Sequence, residues 1–474
     1  MSLTLERAFA PLRRVRSRSS GGFDGRLIAP MILGAVLNPV NSSVIAVSLV
    51  PIGLALGAPP SQTAWLVSSL YLATAIGQPV VGRLVDTYGP RRLFLAGSAL
   101  VGIAGVLGTV APSLGVLIVA RVLLGFGTCA GYPAAMYLIR SESRRTGHDS
   151  PAGILTMLAV SAQTIAVIGP TLGGLLIGLG GWRTTFAINI PLGAACLMLG
   201  WFRLPKAATP RPEARPASRL DLAGIVLFAV MLTSLLLLLM SPQLAHVYLL
   251  VITMASGAVF AWWELRAAEP FIDLRVFGGN LPLLATYVRN LLASIVSYAF
   301  LYGFTQWLED SRGLHPAQTG LILLPMFLTA ILVSTTTGRR REIRGKLLVG
   351  ATTQVVACAI LLLLHADSAI WLLVAIVLIV GVPQGLNSLA NQSAVYYQAD
   401  PTRMGSSAGL LRTSTYLGAI IASAANGAFF GSRIDTAGLH HLAVFVLVIA
   451  VLFLAITALD RSLRRVGRTD RPTD

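Results

Sequence analysis

The sequence predicts an all-α integral membrane protein of fourteen transmembrane helices, arranged as two six-helix bundles with two extra spans between them. Three observations predict it. Apolar runs of about 20 residues recur along nearly the whole chain, each long enough to cross a ~30 Å hydrocarbon layer as a helix. The composition is 55% hydrophobic and 12% charged, with a mean hydropathy of +0.75, too apolar for the surface of a soluble domain. The positive charges are also unevenly spread, as shown below.

Taken in order, the first block is a basic arm, residues 1–26, with no short apolar core that would mark a removable signal peptide. Six spans follow at 27–50, 61–82, 92–112, 114–138, 152–178 and 183–203, forming an N-terminal bundle over 27–203. The stretch LPKAATPRPEARPASRL, rich in Pro, Ala and Arg, makes 204–219 a linker. Two close spans, 220–240 and 246–265, come next, and 266–280 is a second connection. The last six spans, 281–308, 317–337, 346–365, 368–396, 404–431 and 440–460, form a C-terminal bundle over 281–460, and 461–474 is a basic tail.

Charge tests this layout. With both termini in the cytoplasm, 30 of the 36 Lys and Arg residues fall in inside segments. Only Arg183, Arg312 and Arg433 fall outside, and Arg121, Arg289 and Arg412 lie within spans. This asymmetry fits the positive-inside rule. The net charge of +17 is therefore explained by topology and by contact with anionic headgroups of membrane lipid. It does not call for a nucleic-acid partner, which would need a basic polar domain. Cys129, Cys196 and Cys358 stand far apart in apolar runs and read as small core residues, not as disulfides or metal ligands. No phosphate-binding glycine loop appears, which argues against an ATP-driven pump. The six histidines lie in loops or near span ends without metal spacing, so neither metal nor cofactor is expected, and an enzyme is disfavoured.

An internal repeat supports the two-block plan. GRLVDTYGPRR, from Gly82 through Arg83, Asp86, Gly89 and Arg91 to Arg92, follows the second span of the first block. GRRREIRGK, with Gly338, Arg339, Glu342, Gly345 and Lys346, follows the second span of the last block. Glycine allows close helix ends, and Asp86 can accept hydrogen bonds from a helix N-terminus. Such a loop is either a latch or a plain solvated turn. In VIGPTLGG, the residues Gly169, Pro170, Gly173 and Gly174 remove bulk and one backbone donor, which suits a hinge or close small-residue packing.

Polar residues inside spans are the candidate binding groups, because a lipid-facing position is costly for them. Asn38 and Asn41 flank Pro39 in span one. Gln384, Asn387, Ser388 and Asn391 recur at helical spacing in GVPQGLNSLANQSAV. That stripe lines a wet cavity or bonds to neighbouring helices. Gln163 and Gln306 are single cases. Of the three span arginines, Arg289 is close enough to an end to snorkel, whereas Arg121 and Arg412 are candidate cavity cations. The acids lie at span ends, in loops or in tails. The pair Glu309 and Asp310, at the outer end of span nine, is the candidate for proton coupling.

The loop GRLVDTYGPRR, the fourth-span run RVLLGFGTCAG and the fifth-span run from Val167 to Gly193 resemble motifs of the major facilitator superfamily. EPFIDLRVF and AGLLRTSTYLGAI resemble its fourteen-span drug:proton antiporter branch, the EmrB/QacA type. The resemblance covers roughly residues 27 to 460. It implies a multi-pass protein of the cytoplasmic membrane, monomeric, exporting small amphiphilic molecules by alternating access between its two halves. Import or export of a specific anionic or zwitterionic metabolite, and a non-transporting sensor or scaffold on the same fold, are the alternatives. The resemblance implies a gate role for the loop and a hinge role for the fifth-span motif. One departure matters. Where these antiporters carry an aspartate in span one, this chain has Asn41, and a carboxamide cannot carry a proton.

Overall fold

The computed structural model describes residues 23–464 apart from 59, 64, 147–151, 207–220, 241–243, 268–269, 273, 275–278, 315, 339–341 and 431–434. Most of the basic arm, most of the linker, part of the 266–280 connection, Arg339 and most of the tail therefore lie outside the described residues. All regular structure among the described residues is helical.

The first half comprises α1 (Ile28–Val44), α2 (Trp65–Tyr88), α3 (Pro90–Thr109), α4 (Leu114–Thr128), α5 (Gly131–Thr146), α6 (Ala152–Gly180) and α7 (Asn189–Arg203). The two extra helices are α8 (Leu222–Met240) and α9 (Val247–Arg266). The second half comprises α10 (Leu281–Gln306), α11 (Pro316–Gly338), α12 (Ile343–Leu361), α13 (Ile370–Gln398), α14 (Met404–Phe430) and α15 (Thr436–Leu459). Helices α4 and α5 form one continuous span, broken only at Cys129 and Ala130.

Eleven helical segments among the described residues are long and apolar enough to cross a membrane, and α6, bent by 42°, makes a twelfth. Two further helices, α8 and α14, complete the long elements. The Gly, Ser, Thr and Asn residues of α14 make it less apolar, although it is 27 residues long. The exposed large side chains, among them Ile103, Leu175, Phe202 and Val448, lie along the helices where lipid would replace water.

Local breaks follow the sequence. The bend in α6 falls between Ile165 and Val167. Pro170 has no N–H to give the carbonyl of Ala166, four residues before it, so the helix opens there. Pro39 has a different outcome. Helix α1 does not break at Pro39, since α-helical pitch runs through it to Val44 and then tightens into a 3-10 turn over Ile45–Ser48. The hydroxyls of Ser42 and Ser43 donate back to the carbonyls of Asn38 and Pro39 at 2.9 and 2.8 Å, which compensates the backbone around the proline.

The two halves meet through α2 against α14, α5 against α14, and α6 against α11 and α13. The second long helix of each half thus packs on the fifth of the other. The loop glycines mark both places. A Cβ on Gly82 would lie 2.4 Å from the carbonyl oxygen of Gly405, and one on Gly338 would lie 2.1 Å from the hydroxyl of Thr156 on α6. The repeat read from the sequence therefore corresponds to a repeated cross-half packing. Helices α8 and α9 pair with each other, and α8 leans on α2 and α14. Phe228, Leu232 and Phe260 cover the α2–α14 junction beside Ala75 and Tyr416.

Candidate functional site

The α2–α14 junction is a seam of antiparallel helices. Gly82 faces Gly405, and Gln78 faces Gly409, whose Cβ would lie 2.4 Å from the Gln78 carbonyl oxygen. The Thr413 hydroxyl donates to the carbonyl of Ala75 at 3.2 Å. The rings of Tyr71 and Tyr416 end the run with centroids 5.8 Å apart. From Tyr71 to Gly82 the seam extends about 16 Å at 1.5 Å per residue, half of a bilayer core.

One end of this seam is latched. The amides of Gly405 and Ser406 donate to Asp86 at 2.8 Å each, and the Ser406 hydroxyl adds a bond of 2.7 Å. These are the orphan amides of the first turn of α14, and a carboxylate there satisfies them and complements the helix dipole. Arg83 donates to the carbonyl of Pro270, tying the loop to the connection after the extra helices. Gly89 has φ of 87° and starts α3, a conformation that suits glycine. Arg91 donates to the Trp201 carbonyl at 3.0 Å and stacks over the Trp201 ring. Arg92 is exposed. Glu342 precedes α12, is exposed, and makes no bond to α6 among the described residues. The second loop copy thus keeps the close packing of Gly338 without the carboxylate latch.

The other end of the seam opens into a polar and aromatic cluster. Asn38 is its hub. Its amide donates to Thr128 at 3.0 Å and to Thr74 at 3.3 Å, and its carbonyl accepts from Tyr416 at 2.8 Å and from Ser42 at 3.3 Å. Both threonine hydroxyls spend their own hydrogens on backbone carbonyls, Leu70 and Gly125. A group in this position must therefore donate two hydrogen bonds and accept from a phenol, which an amide does and a carboxylate does not. Tyr416 belongs to the second half, so the bond crosses between halves. Tyr71 of the first half lies close to Tyr302 of the second, and the ring of Tyr298 lies beside that of Tyr302, tilted, with centroids 5.7 Å apart. The half-buried Arg412 lies 4.0 Å over the ring of Tyr132, again across the halves. The cluster offers aromatic faces, phenolic hydroxyls and one cation.

Asn41 and Arg121 lie apart from this cluster, inside the first half. The Asn41 amide donates to the Leu37 carbonyl at 2.9 Å and to Asn189 at 2.7 Å. Arg121, 1% exposed, donates to the carbonyls of Leu66 and Asn41 at 2.8 and 3.2 Å. Neither lines the space between the halves. Arg289 is fully buried and pairs with Asp460 at 2.5 Å, so it forms a structural ion pair at the end of α15 and does not snorkel. Gln163 is buried on α6, Gln306 is exposed at the end of α10, and Gln384 is half-buried on α13.

The α13 stripe divides. Asn387 donates to Gln354 at 3.0 Å, and Gln354 donates to the Ala293 carbonyl. Of its two readings, Asn387 takes the bond between neighbouring helices, because Gly350 lets α12 approach its carbonyl oxygen. Asn391 is fully buried, with no partner for its amide among the described residues. Gly169 and Gly173 admit Ser43 and Val47 of the first span, whereas Gly174 faces open space and is not needed for packing. Glu309 and Asp310 sit on a π-helical turn, Trp307–Ser311, half-buried and exposed respectively.

The cluster tyrosines were the residues missed by sequence reading. Their signal was present: Tyr298 and Tyr302 stand four apart on one helix face, and Tyr416 lies within the AGLLRTSTYLGAI run. Aromatic residues in apolar spans are too common for that signal to stand out.

Residues 31–423 match the model of the Major Facilitator Superfamily. The uncharacterized MFS-type transporter YwoD of Bacillus subtilis (strain 168) is 32% identical over 88% of this chain and 92% of its own length. The multidrug resistance protein Stp of Mycobacterium tuberculosis (strain CDC 1551 / Oshkosh) is 31% identical over 65% of this chain and 57% of its own. The tetracenomycin C resistance and export protein of Streptomyces glaucescens is 27% identical over 88% of this chain and 78% of its own. Among solved structures, the human organic anion transporter MFSD10 (TETRAN) superposes with a TM-score of 0.67 over 90% of this chain and 99% of that one, at 14% identity, which is a likeness of fold. With a cross-half seam, a latching carboxylate and a family match spanning most of its length, this chain belongs to the Major Facilitator Superfamily and is a membrane transporter, not an enzyme.

Proposed function

We propose that the protein exports small amphiphilic molecules from the cytoplasm by alternating access, as a fourteen-span drug-efflux-type transporter of the cytoplasmic membrane. In this reading α8 and α14 complete the fourteen spans, both termini are cytoplasmic, and the protein works as a monomer. The Asp86 latch then closes the cytoplasmic side, and rupture of the α2–α14 and α6–α11 contacts opens it. Glu309 and Asp310 at the outer mouth are the carriers of any proton coupling. The relatives named for multidrug resistance and for tetracenomycin C export support the efflux direction.

The observation that carries this reading is the cluster at the end of the closed seam, Tyr71, Tyr298, Tyr302 and Tyr416 with Arg412. Aromatic faces accept flat apolar bodies, and a half-buried guanidinium without an acid beside it among the described residues favours anionic or neutral substrates over multiply cationic ones. The test is transport by purified protein in liposomes under an imposed pH gradient. Substrates of one aromatic scaffold, carrying a carboxylate, no charge or a quaternary ammonium, are compared. Arg412→Gln is expected to weaken the anionic substrate about tenfold, or about 1.4 kcal/mol, and leave the neutral one within about twofold. Preference of the wild type for the quaternary ammonium compound would overturn the substrate class. Gradient-driven flux of none of the three would overturn the export reading.

A further inference from the structure

We propose that the first half carries a binding site for one monatomic anion, a halide, held against Arg121 within the bundle and outside the path between the halves. The site stands on three observations.

Arg121 is 1% exposed and has no carboxylate partner among the described residues. Its Nε and one terminal nitrogen donate to the carbonyls of Leu66 and Asn41, while the other, Nη2, is buried and has no partner among the described residues. A buried guanidinium with no counter-charge is an expensive arrangement unless something supplies the charge.

The position also contains a void. Arg121, Asn41, Val44, Ile45, Thr185 and Phe186 line a small, partly open cavity, sized for one water-like occupant. It opens where α1 ends at Val44 and the tighter Ile45–Ser48 turn begins. The short helix Thr184–Ala187 forms its other wall.

The remaining donors at the void are committed. Both amide hydrogens of Asn41 go to Leu37 and Asn189, and the Thr185 hydroxyl donates to the Trp182 carbonyl at 2.6 Å. The guanidinium therefore supplies the unused N–H groups, and the other walls, Val44, Ile45 and Phe186, are apolar. This setting takes a compact, weakly hydrated anion. A carboxylate ligand is too large for a one-atom cavity, and a water fills the space without supplying the charge. Asn41 is what leaves the charge unmet, because an acid in its place would supply a counter-ion from the chain itself.

The test uses full-length protein in nanodiscs. Radiolabelled chloride binding and thermal unfolding are measured in sodium chloride, sodium bromide and sodium gluconate at equal ionic strength. The expected result is saturable binding of about one chloride per chain. An upward shift in unfolding temperature of about 1–2 °C should accompany it at tenfold saturation. Bromide should compete and gluconate should not. Asn41→Asp, which places a carboxylate beside Arg121, should abolish both the binding and the shift while the protein still folds. Arg121→Gln should do the same if it folds. Three results would overturn the proposal: no saturable chloride binding by the wild type, a shift identical in chloride and gluconate, or unchanged chloride binding in Asn41→Asp. The first means that a water fills the void. The last places the ion elsewhere.

Discussion

The seam between α2 and α14 predicts a graded response to one added methyl group. In Gly409→Ala, the new Cβ would lie 2.4 Å from the Gln78 carbonyl oxygen. Ordinary contact begins near 3.4 Å, so the two backbones must part by about 1 Å, and the neighbour is main chain that cannot rotate away. Overpacking of this kind costs about 1–3 kcal/mol. The penalty applies only while the seam is closed, since opening this side separates the two helices. The population therefore shifts toward the open arrangement by about 5- to 150-fold. Spin labels on Thr87→Cys and Thr402→Cys, both exposed beside the Asp86 latch, report the seam distance by double electron–electron resonance in nanodiscs. Cys129, Cys196 and Cys358 are buried, so background labelling should be low. The wild type should show mainly a short distance and Gly409→Ala mainly a longer one, with slower transport. An unchanged distance distribution would refute the claim that this glycine sets the closed state.

Other outcomes follow from the same geometry. Asp86→Asn keeps a side-chain acceptor for one of the two α14 amides and gives up the charge, so it should weaken the latch by about 1 kcal/mol and lengthen the same spin-label distance. Asn38→Asp should impair transport more than Asn38→Ala, because a carboxylate meets two threonine hydroxyls whose hydrogens are already spent, whereas alanine only leaves groups unpaired, at about 1–3 kcal/mol; equal rates in the two variants would contradict this. Asp460→Asn leaves the fully buried Arg289 without its counter-ion and should cost about 3 kcal/mol, more than Arg289→Met. Burial opposes ionisation of Asp460, but bonds from Ser462 and Arg289 outweigh it and hold the carboxyl below its ordinary value. Its contribution is thus full above about pH 4 and is lost as pH falls through the lowered value. Unfolding temperatures of wild type and Asp460→Asn should accordingly converge in strong acid. Glu309→Gln combined with Asp310→Asn should abolish the response of transport to a pH gradient, and intact proton-driven export in that variant would remove both residues from coupling.

The helices were legible because lipid imposes a strong pattern: long apolar runs, and glycines where backbones touch. Gly82 and Gly338 illustrate how far such a pattern reaches. Their shared spacing to an acid marked a repeat, and both prove to be contact points between the halves. The same spacing over-reads Glu342, which lacks the bonds that Asp86 makes, because a shared offset along the chain does not guarantee an equivalent partner across it. Side-chain destinations were less legible. Asn38 and Asn41 lie three residues apart on one helix, yet the first turns to the junction and the second into its own bundle. A helix face of about 100° accommodates both directions. Arg289 could not be matched with Asp460 from sequence, since 171 residues separate them.

The two asparagines of the first span solve different problems, and the distinction bears on how energy could enter the cycle. Asn38 needs an amide because its surroundings demand donors and acceptors together, and its bond to Tyr416 forms only while the halves are joined. In the alternating-access cycle proposed above, that bond breaks whenever the halves part. Asn41 bonds only within the first half, to Leu37 and Asn189, and its backbone carbonyl steadies Arg121. Nothing it touches separates when the halves rock apart. A proton carrier at Asn41 would thus have acted through the charge of Arg121 and not through the seam. In the proposed cycle, an amide at position 41 leaves the cross-half contacts undisturbed, so closure of the seam does not rest on a titratable group in the first span.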